Sequence, residues 1–444
     1  MSLIVTKFGG TSMASAAQLR KVAGIVLADP ARRFVVPSAP GKRFAGDTKV
    51  TDLLYHCYDL ADSDSPAFRE LFGRIQARYE EIVAELALQL DLSAEFETMR
   101  EKFLARTGSD YAASRGEYLA GLVLSALLDF PFVDAAELIA FNADGQFNPK
   151  LTQLQTSERL STMEKAVIPG FYGSKPDGSV KTFSRGGSDI TGSLVAQGAG
   201  ADVYENWTDV SGFLVADPRI VENPAPIRTV TYQELRELSY MGANVLHEDS
   251  IFPVRKAMIP INIRNTNLPE DPGTMIVAQT GKSGPRTVTG IAGKKGFSII
   301  SIEKDRMNTE VGFGRRVLAV FEQFGLPFEH LPSGIDTMSV VVSTKDLGSS
   351  RHKLIDALTH AVSPDALEHG DGLALIAVVG RNMRHSIGTA ARVFKAIAEA
   401  KVNIRLIDQG SSELNIIIGV NEADFERAIQ TIYNEFYKGK TQKV

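Results

Sequence analysis

Short apolar runs alternate with helical stripes over roughly the first 285 residues. Leu3-Ile4-Val5 predicts a buried strand, and Leu19, Val22, Ala23 and Val26 then recur at helical spacing. Phe34-Val35-Val36 predicts a second strand. Phe68, Leu71, Ile75, Tyr79, Ile82 and Leu86 fall on one stripe of a long helix. Further strands are expected around residues 166–168, 203–206 and 261–264. Strand–helix alternation predicts a parallel sheet with helices on both faces, whose ligands sit beyond the carboxyl ends of the strands.

Between residues 268 and 285 the pattern breaks, with Pro269, Pro272, Gly273, Gly281, Gly284 and Pro285 clustered. Beyond it the chain repeats itself. Arg316-Val317-Leu318 aligns with Arg392-Val393-Phe394, an offset of 76 residues. The same offset pairs Leu326 with Val402, Phe328 with Ile404, Leu331 with Ile407, and Val340-Val341-Val342 with Ile416-Ile417-Ile418. Each copy reads strand, helix, strand, strand, followed by a second helix (residues 351–362 and 422–437), a small α+β unit occurring twice. Residues 1–285 are therefore expected to form one domain and 286–444 a tandem, its units near 297–370 and 371–444, side by side or interleaved.

Composition narrows the class. A length of 444 residues implies more than one core, and 44% hydrophobic with 23% charged residues is ordinary for a globular chain. The net charge of −5 speaks against nucleic acid as a partner. The apolar stretch at residues 119–141 is interrupted by Asp129, Asp134 and Glu137, which argues against a membrane span. Cys57 is the single cysteine, and without a partnering motif it reads as a filler in a reducing compartment. A cytoplasmic location is the expectation. The basic end, residues 438–444, reads as a disordered tail.

Three polar clusters follow strands. Lys7-Phe8-Gly9-Gly10-Thr11-Ser12 leaves the first strand ahead of the first helix, where glycines admit an anion and Lys7 adds charge. Its spacing is not that of a Walker A loop, and a plain tight turn is the alternative. Ser184-Arg185-Gly186-Gly187-Ser188-Asp189 precedes a helix at 190–199. Arg185 can grip a carboxylate in two parallel bonds and Asp189 an ammonium, together a clamp for an α-amino acid; Ser188 or Asp189 can equally serve as the helix N-cap. Thr208-Asp209-Val210-Ser211-Gly212 with Asp217-Pro218-Arg219 suits the polar edges and phosphates of a nucleotide, or an ordinary turn.

In this order the clusters, with INIRNTNLPEDPGT and the repeated tail, resemble the aspartate kinases of the amino-acid kinase superfamily over nearly the whole chain. The resemblance implies a carbamate-kinase-like three-layer αβα sandwich plus two α+β ACT domains. It implies transfer of the γ-phosphoryl of ATP, with Mg²⁺ held mainly by the phosphates, to the side-chain carboxylate of L-aspartate. On this basis Lys7, Gly9 and Gly10 would hold the ATP phosphates. Ser38, Thr51, Glu117, Arg185, Ser188 and Asp189 would surround aspartate, Arg185 on the α-carboxylate and Glu117 and Asp189 toward the ammonium. Thr208, Asp209, Leu214, Asp217 and Arg219 would line the nucleotide site, and Lys7 and Arg185 would converge. Two positions depart from many relatives: Leu214 stands where they carry Tyr beside the adenine, and Asn244 where they carry a Lys that meets ATP.

The ACT-like tail implies feedback by lysine, threonine or both, through the turn from Met307 to Phe313 and Glu329, and a homodimer formed through the ACT sheets. A fused homoserine dehydrogenase is not expected, because the residues after Val420 are too few for a further dinucleotide-binding domain. The rival readings are a kinase of the same fold acting on glutamate, acetylglutamate or UMP, and a catalytically weak amino-acid sensor. The retained Lys7, Arg185 and Asp189 oppose the latter.

Overall fold

The computed structural model is described over residues 2–184, 186–243, 248–279 and 286–438, with the side chains of 248–250 excepted. It divides into two compact units. One comprises Met1–Phe213, Arg228–Tyr232 and Val245–Thr280; the other comprises Leu214–Ile227, Gln233–Asn244 and Gly281–Val444.

The first unit is built on a seven-stranded sheet and a small hairpin. Its strands are β1 (Ile4–Phe8), β2 (Arg32–Pro37), β3 (Ala166–Val167), the hairpin β4 (Tyr172–Ser174) and β5 (Val180–Thr182), β6 (Val203–Thr208), β7 (Thr229–Thr231), β8 (Ile261–Asn265) and β9 (Thr274–Val277). The sheet order is β3-β2-β1-β6-β8-β9-β7. From β3 to β8 neighbouring strands are parallel, as the alternation predicts. At β9 the prediction fails, because β9 runs antiparallel to β8. The connection between them is a short turn, too short for the crossover that a parallel partner needs. A strand lies inside the stretch 268–285 where the pattern breaks, and its last residues, 280–285, lie outside the described residues. Between the group that ends at Gly273 and the one that begins at Gly281, Thr-Met-Ile-Val pairs as β9.

The helices up to residue 256 are α1 (Ala16–Leu27), α2 (Val50–Asp59), α3 (Pro66–Glu85), α4 (Ser93–Leu104), α5 (Ser109–Leu128), α6 (Ala135–Leu138), α7 (Pro149–Ser161), α8 (Gly187–Ala199), α9 (Tyr232–Tyr240) and α10 (Glu248–Lys256), of which α9 belongs from Gln233 onward to the second unit. The predicted long stripe is α3, opened by Ser65, whose side chain accepts from the Phe68 amide, and by Pro66 in its first turn. Helices α1 to α5 share one core with the sheet residues Phe8, Val35, Val167 and Trp207. The other face of the sheet meets α8, since the Tyr204 hydroxyl donates to the Asp189 carbonyl at 3.1 Å. Alternation along β6 thus sends Tyr204 and Asn206 toward α8 and Trp207 toward α1–α5.

The second unit contains β10 (Gly290–Glu303), α11 (Phe313–Gln323), β11 (Thr337–Ser343), α12 (Thr344–Leu347), α13 (Arg351–Val362), β12 (Ala366–Val379), α14 (Thr389–Glu399), β13 (Leu406–Asp408), β14 (Asn415–Asn421) and α15 (Phe425–Tyr433). Its strands form one antiparallel sheet ordered β11-β10-β12-β14-β13. The 76-residue offset relates β10 to β12 and α11 to α14 end for end. One expected element is missing. Between α11 and β11 the first copy has only isolated bridges, His330 to Val341 and Ser333 to Met338, where the second copy has β13. Pro327 and Pro332 remove two amide donors from that segment and keep it from joining a ladder.

Strands β10 and β12 pair along nearly their whole length, with the ladder interrupted between Lys294 and Phe297. Beyond the interruption, Phe297–Glu303 pairs with β11 on the other side. Before it, residues 290–294 pair with residues 375–379, the part of β12 that carries β14. The second copy therefore borrows its outer strand from the chain that precedes the first copy.

Candidate functional site

Lys7 and Phe8 are the last residues of β1 rather than part of a loop. Lys7 stands in register with Asn206 of β6, so both side chains rise on the α8 face. The Lys7 Nζ lies 2.6 Å from Asp189 Oδ1, with only 9% and 18% of the two side chains exposed. Asn206 Nδ2 donates to the same Asp189 oxygen at 2.9 Å. The carboxylate is thus aimed from two sides and holds the ammonium at the strand end.

Asp189 and Ser188 lie inside the first turn of α8, and neither caps it. The N-cap is Gly186 at φ 59°, a left-handed backbone that glycine adopts without strain. Ser188 and Asp189 are thereby free to face outward contacts. The Ser188 hydroxyl donates to Glu117 Oε1 of α5 at 3.5 Å, while Glu117 Oε2 is buried without a hydrogen-bond partner. Burial pushes the Glu117 carboxyl up to about 8, against the opposing pull of the Ala39 amide, the Ser188 hydroxyl and the Lys7 charge.

After β1, the Gly9 amide donates to the Trp207 carbonyl at 2.9 Å, and residues Gly10–Met13 form a 3₁₀ turn; α1 begins only at Ala16, capped by Ser15. The passage from first strand to first helix is therefore made in two steps. The loop after β2 crosses this turn closely. Gly41 N donates to the Gly10 carbonyl at 2.7 Å, and a Cβ on Gly41 would sit 2.7 Å from the Gly10 carbonyl carbon. Ser38 N donates to the Phe8 carbonyl at 3.0 Å. Gly116, next to Glu117, packs on Ala39, Val50 and Leu54, which draws together the segments carrying Ser38, Thr51 and Glu117.

Thr208 ends β6, and its hydroxyl lies 3.2 Å from Asp209 Oδ1. Leu214, Asp217 and Arg219 belong to the second unit. There Asp217 Oδ1 accepts from the Arg219 amide at 2.8 Å, and the guanidinium closes on the carboxylate at 2.6 Å, an ordinary turn as well as an ion pair. The bond to Arg219 holds the Asp217 carboxyl below its usual range. Met307 and Phe313 are buried in the core of the first copy, and Glu329 accepts a hydrogen bond from the Tyr240 hydroxyl. Arg185, Asn244 and residues 439–444 lie outside the described residues, and with Arg185 its convergence on Lys7.

Sequence reasoning missed Asn206 and Gly41. Asn206 carries at most a weak signal, a buried-strand amide between Glu205 and Trp207. Gly41 carries none, because its role depends on a loop 31 residues away in the chain.

Residues 2–265 match the model of the amino acid kinase family, and residues 376–436 match that of an ACT domain. Aspartokinase 3 of Bacillus subtilis is 42% identical over 456 aligned residues, covering 98% of this chain and 99% of that protein. The crystal structure of the allosteric aspartate kinase of Clostridium acetobutylicum superposes with a TM-score of 0.89 at 50% identity, covering 98% of this chain and 100% of that one. Aspartokinase III of E. coli, solved in complex with aspartate and ADP, shares the fold at a TM-score of 0.71 and 24% identity, covering 98% of this chain and 100% of that one. The parallel sheet with its lysine-tipped first strand, the repeated antiparallel sheet and these likenesses lead to one assignment: the chain belongs to the aspartokinase family, enzymes that phosphorylate aspartate.

Proposed function

We propose that Lys7 with the Gly9-Gly10 turn holds the phosphates of ATP, and that Ser38, Thr51, Glu117, Arg185, Ser188 and Asp189 hold L-aspartate while its β-carboxylate takes the γ-phosphoryl to give 4-phospho-L-aspartate. The observation that carries this reading is the first turn of α8. There two adjacent residues touch the two halves of the site, Asp189 the Lys7 ammonium and Ser188 the buried Glu117 carboxyl.

The nucleophile is the substrate's own carboxylate, ionised at neutral pH, so the enzyme needs no general base (reference pKa about 3.9). Its work is alignment and charge neutralisation. Lys7, already held by Asp189 and backed by Asn206, offers its charge to phosphoryl oxygens at the strand end. Glu117 receives the substrate ammonium in a dry pocket and ionises as it does so. Thr208 and Asp209 are assigned to the nucleotide from the end of β6, and Leu214, Asp217 and Arg219 on their motif. Among the described residues no group of three or more His, Cys, Asp or Glu is placed to hold a metal. Mg²⁺ is assigned here with its oxygen ligands mainly from the phosphates, and it would supply charge neutralisation when bound. Replacing Lys7 with Ala is expected to lower kcat/KM by about a hundredfold or more with unchanged circular dichroism. The assay is hydroxylamine trapping of the acyl phosphate, and a variant keeping about a tenth of wild-type kcat/KM would overturn the assignment.

The tandem sheet serves as the regulatory element. E. coli aspartokinase III has been solved with lysine and aspartate, and we assign to this chain an effector of the same chemistry, lysine or threonine, at the turn of residues 307–313 and at Glu329. The sheet ends in β11, whose outer side is met by the His330 and Ser333 bridges, and in the short β13, an edge that suits pairing into a homodimer. A cytoplasmic location agrees with Cys57, a buried thiol that burial raises to about 12 and leaves inert. No described helix is long and apolar enough to cross a membrane.

A further inference from the structure

Arg78 stands on the buried stripe of α3, three residues after Ile75 and four before Ile82, and is 6% exposed. A charge at a core position is costly unless it is answered. Its answers all lie outside α3. Nη2 donates to the Ala14 carbonyl at 2.7 Å and to the Gly41 carbonyl at 3.2 Å. Nη1 donates to Asp47 Oδ2 at 3.1 Å. Arg43 grips the same carboxylate from the solvent side at 2.9 Å, and these bonds hold the Asp47 carboxyl well below the usual carboxylate range.

The acceptors belong to two loops. Ala14 closes the 3₁₀ turn that begins at Gly10. Gly41 and Asp47 belong to the segment between β2 and α2, which begins with Ser38 and leads into Thr51. Where the loops meet, Gly41 donates to Gly10 with no room between them for a methyl group. Any shift of Gly41 therefore passes to Gly10 undamped. An aliphatic side chain would fill the space on α3 as well, but it could not set the height of one loop against the other.

We propose that Arg78 is a positioning residue for phosphoryl transfer, a strut that fixes the phosphate-holding turn against the loop that reaches toward aspartate. The inference rests on the assignment of Lys7, Gly9 and Gly10 to the ATP phosphates. Misplacement of reacting groups by about 1 Å costs on the order of a hundredfold in rate, so a lost strut appears in kinetics as well as in stability.

The test uses the full chain with Arg78→Met and Arg78→Lys, measuring kcat, KM for ATP and for aspartate, ATP affinity by calorimetry, and Tm. Arg78→Met is expected to raise both KM values by about tenfold and to lower kcat. Arg78→Lys can reach one loop but not both, and is expected to recover part of the loss. If Arg78→Met does not fold, Arg78→Lys carries the test alone. Variants that lose Tm while the folded enzyme keeps wild-type KM values and kcat would overturn the proposal and leave Arg78 a purely structural residue. Lys7→Ala measured alongside separates the two readings. An active Lys7→Ala removes the phosphate assignment itself, whereas an inactive one beside kinetically normal Arg78 variants removes only the strut.

Discussion

Glu117 shows how one buried carboxyl makes an amino-acid site sensitive to pH. Its carboxyl moves from the ordinary 4.5 to about 8 because it is buried, with one oxygen left unbonded. Between those values the folded protein holds a proton that the unfolded chain has released. The stability tied to this group is therefore complete below pH 4.5 and is lost as pH rises through about 8. Glu117→Gln is expected to flatten that part of the stability–pH curve, measured by urea unfolding across the window. Aspartate arrives with an ammonium that favours the ionised form, so binding near about pH 7 expels the proton. Calorimetry in buffers of different ionisation enthalpy should show close to one proton released in the wild type and none in Glu117→Gln. Equal proton release in both would move the ammonium site elsewhere.

Among elements, α9 is tied by side chains to three distant segments. Glu234, Glu237 and Tyr240 recur every third residue and so share one face. Glu234 accepts from Thr289 Oγ1 at 2.6 Å, from the Arg381 amide at 2.9 Å and from its guanidinium at 2.7 Å. Glu237 accepts from Asn415 Nδ2 at 2.6 Å, and Tyr240 donates to Glu329. Thr289, Arg381 and Asn415 cluster because Gly290, Val379 and Asn415 are neighbours across the sheet. The Glu234 side chain is fully buried and that of Arg381 is 22% exposed. Removing the carboxylate strands a cation, and Glu234→Ala should cost about 3 kcal/mol in denaturant unfolding. A loss within experimental error would show that Thr289 and solvent suffice for Arg381.

This helix also marks what a sequence can reveal. Strands β1, β2, β6 and β8 and helix α3 were legible because burial on one or two faces writes itself as apolar runs or stripes. The charged clusters were legible because the residues of each lie close together in the chain. Arg78 was hidden inside a helical stripe as the one charge among its apolar positions. Glu234 reads as a solvated acid on a helix until a partner 147 residues away appears. Strand β9 was masked by the prolines beside it, and the missing strand of the first copy by an alignment that matched apolar residues without weighing Pro327 and Pro332.

At the scale of the molecule, the second unit is one sheet with two copies of a motif laid into it. Because β10 and β12 each serve both copies, neither copy can open its central strands without disturbing the other. Native-state hydrogen exchange on the whole protein should find the amides of residues 297–303 and 373–379 opening with a single free energy. Two well-separated values would mean that the copies behave as independent bodies.

The borrowed outer strand also decides where this polypeptide can be cut. Excising residues 297–370 and rejoining the ends leaves the second motif with every strand it uses, including the stretch at 290–294 that lies upstream of the excision. Starting a fragment at residue 371 discards that stretch and bares a long hydrogen-bonding margin along β12. Gene fusions and domain exchanges within this half of the protein should therefore respect a seam that doubles back on itself, and not the midpoint that the repeat suggests.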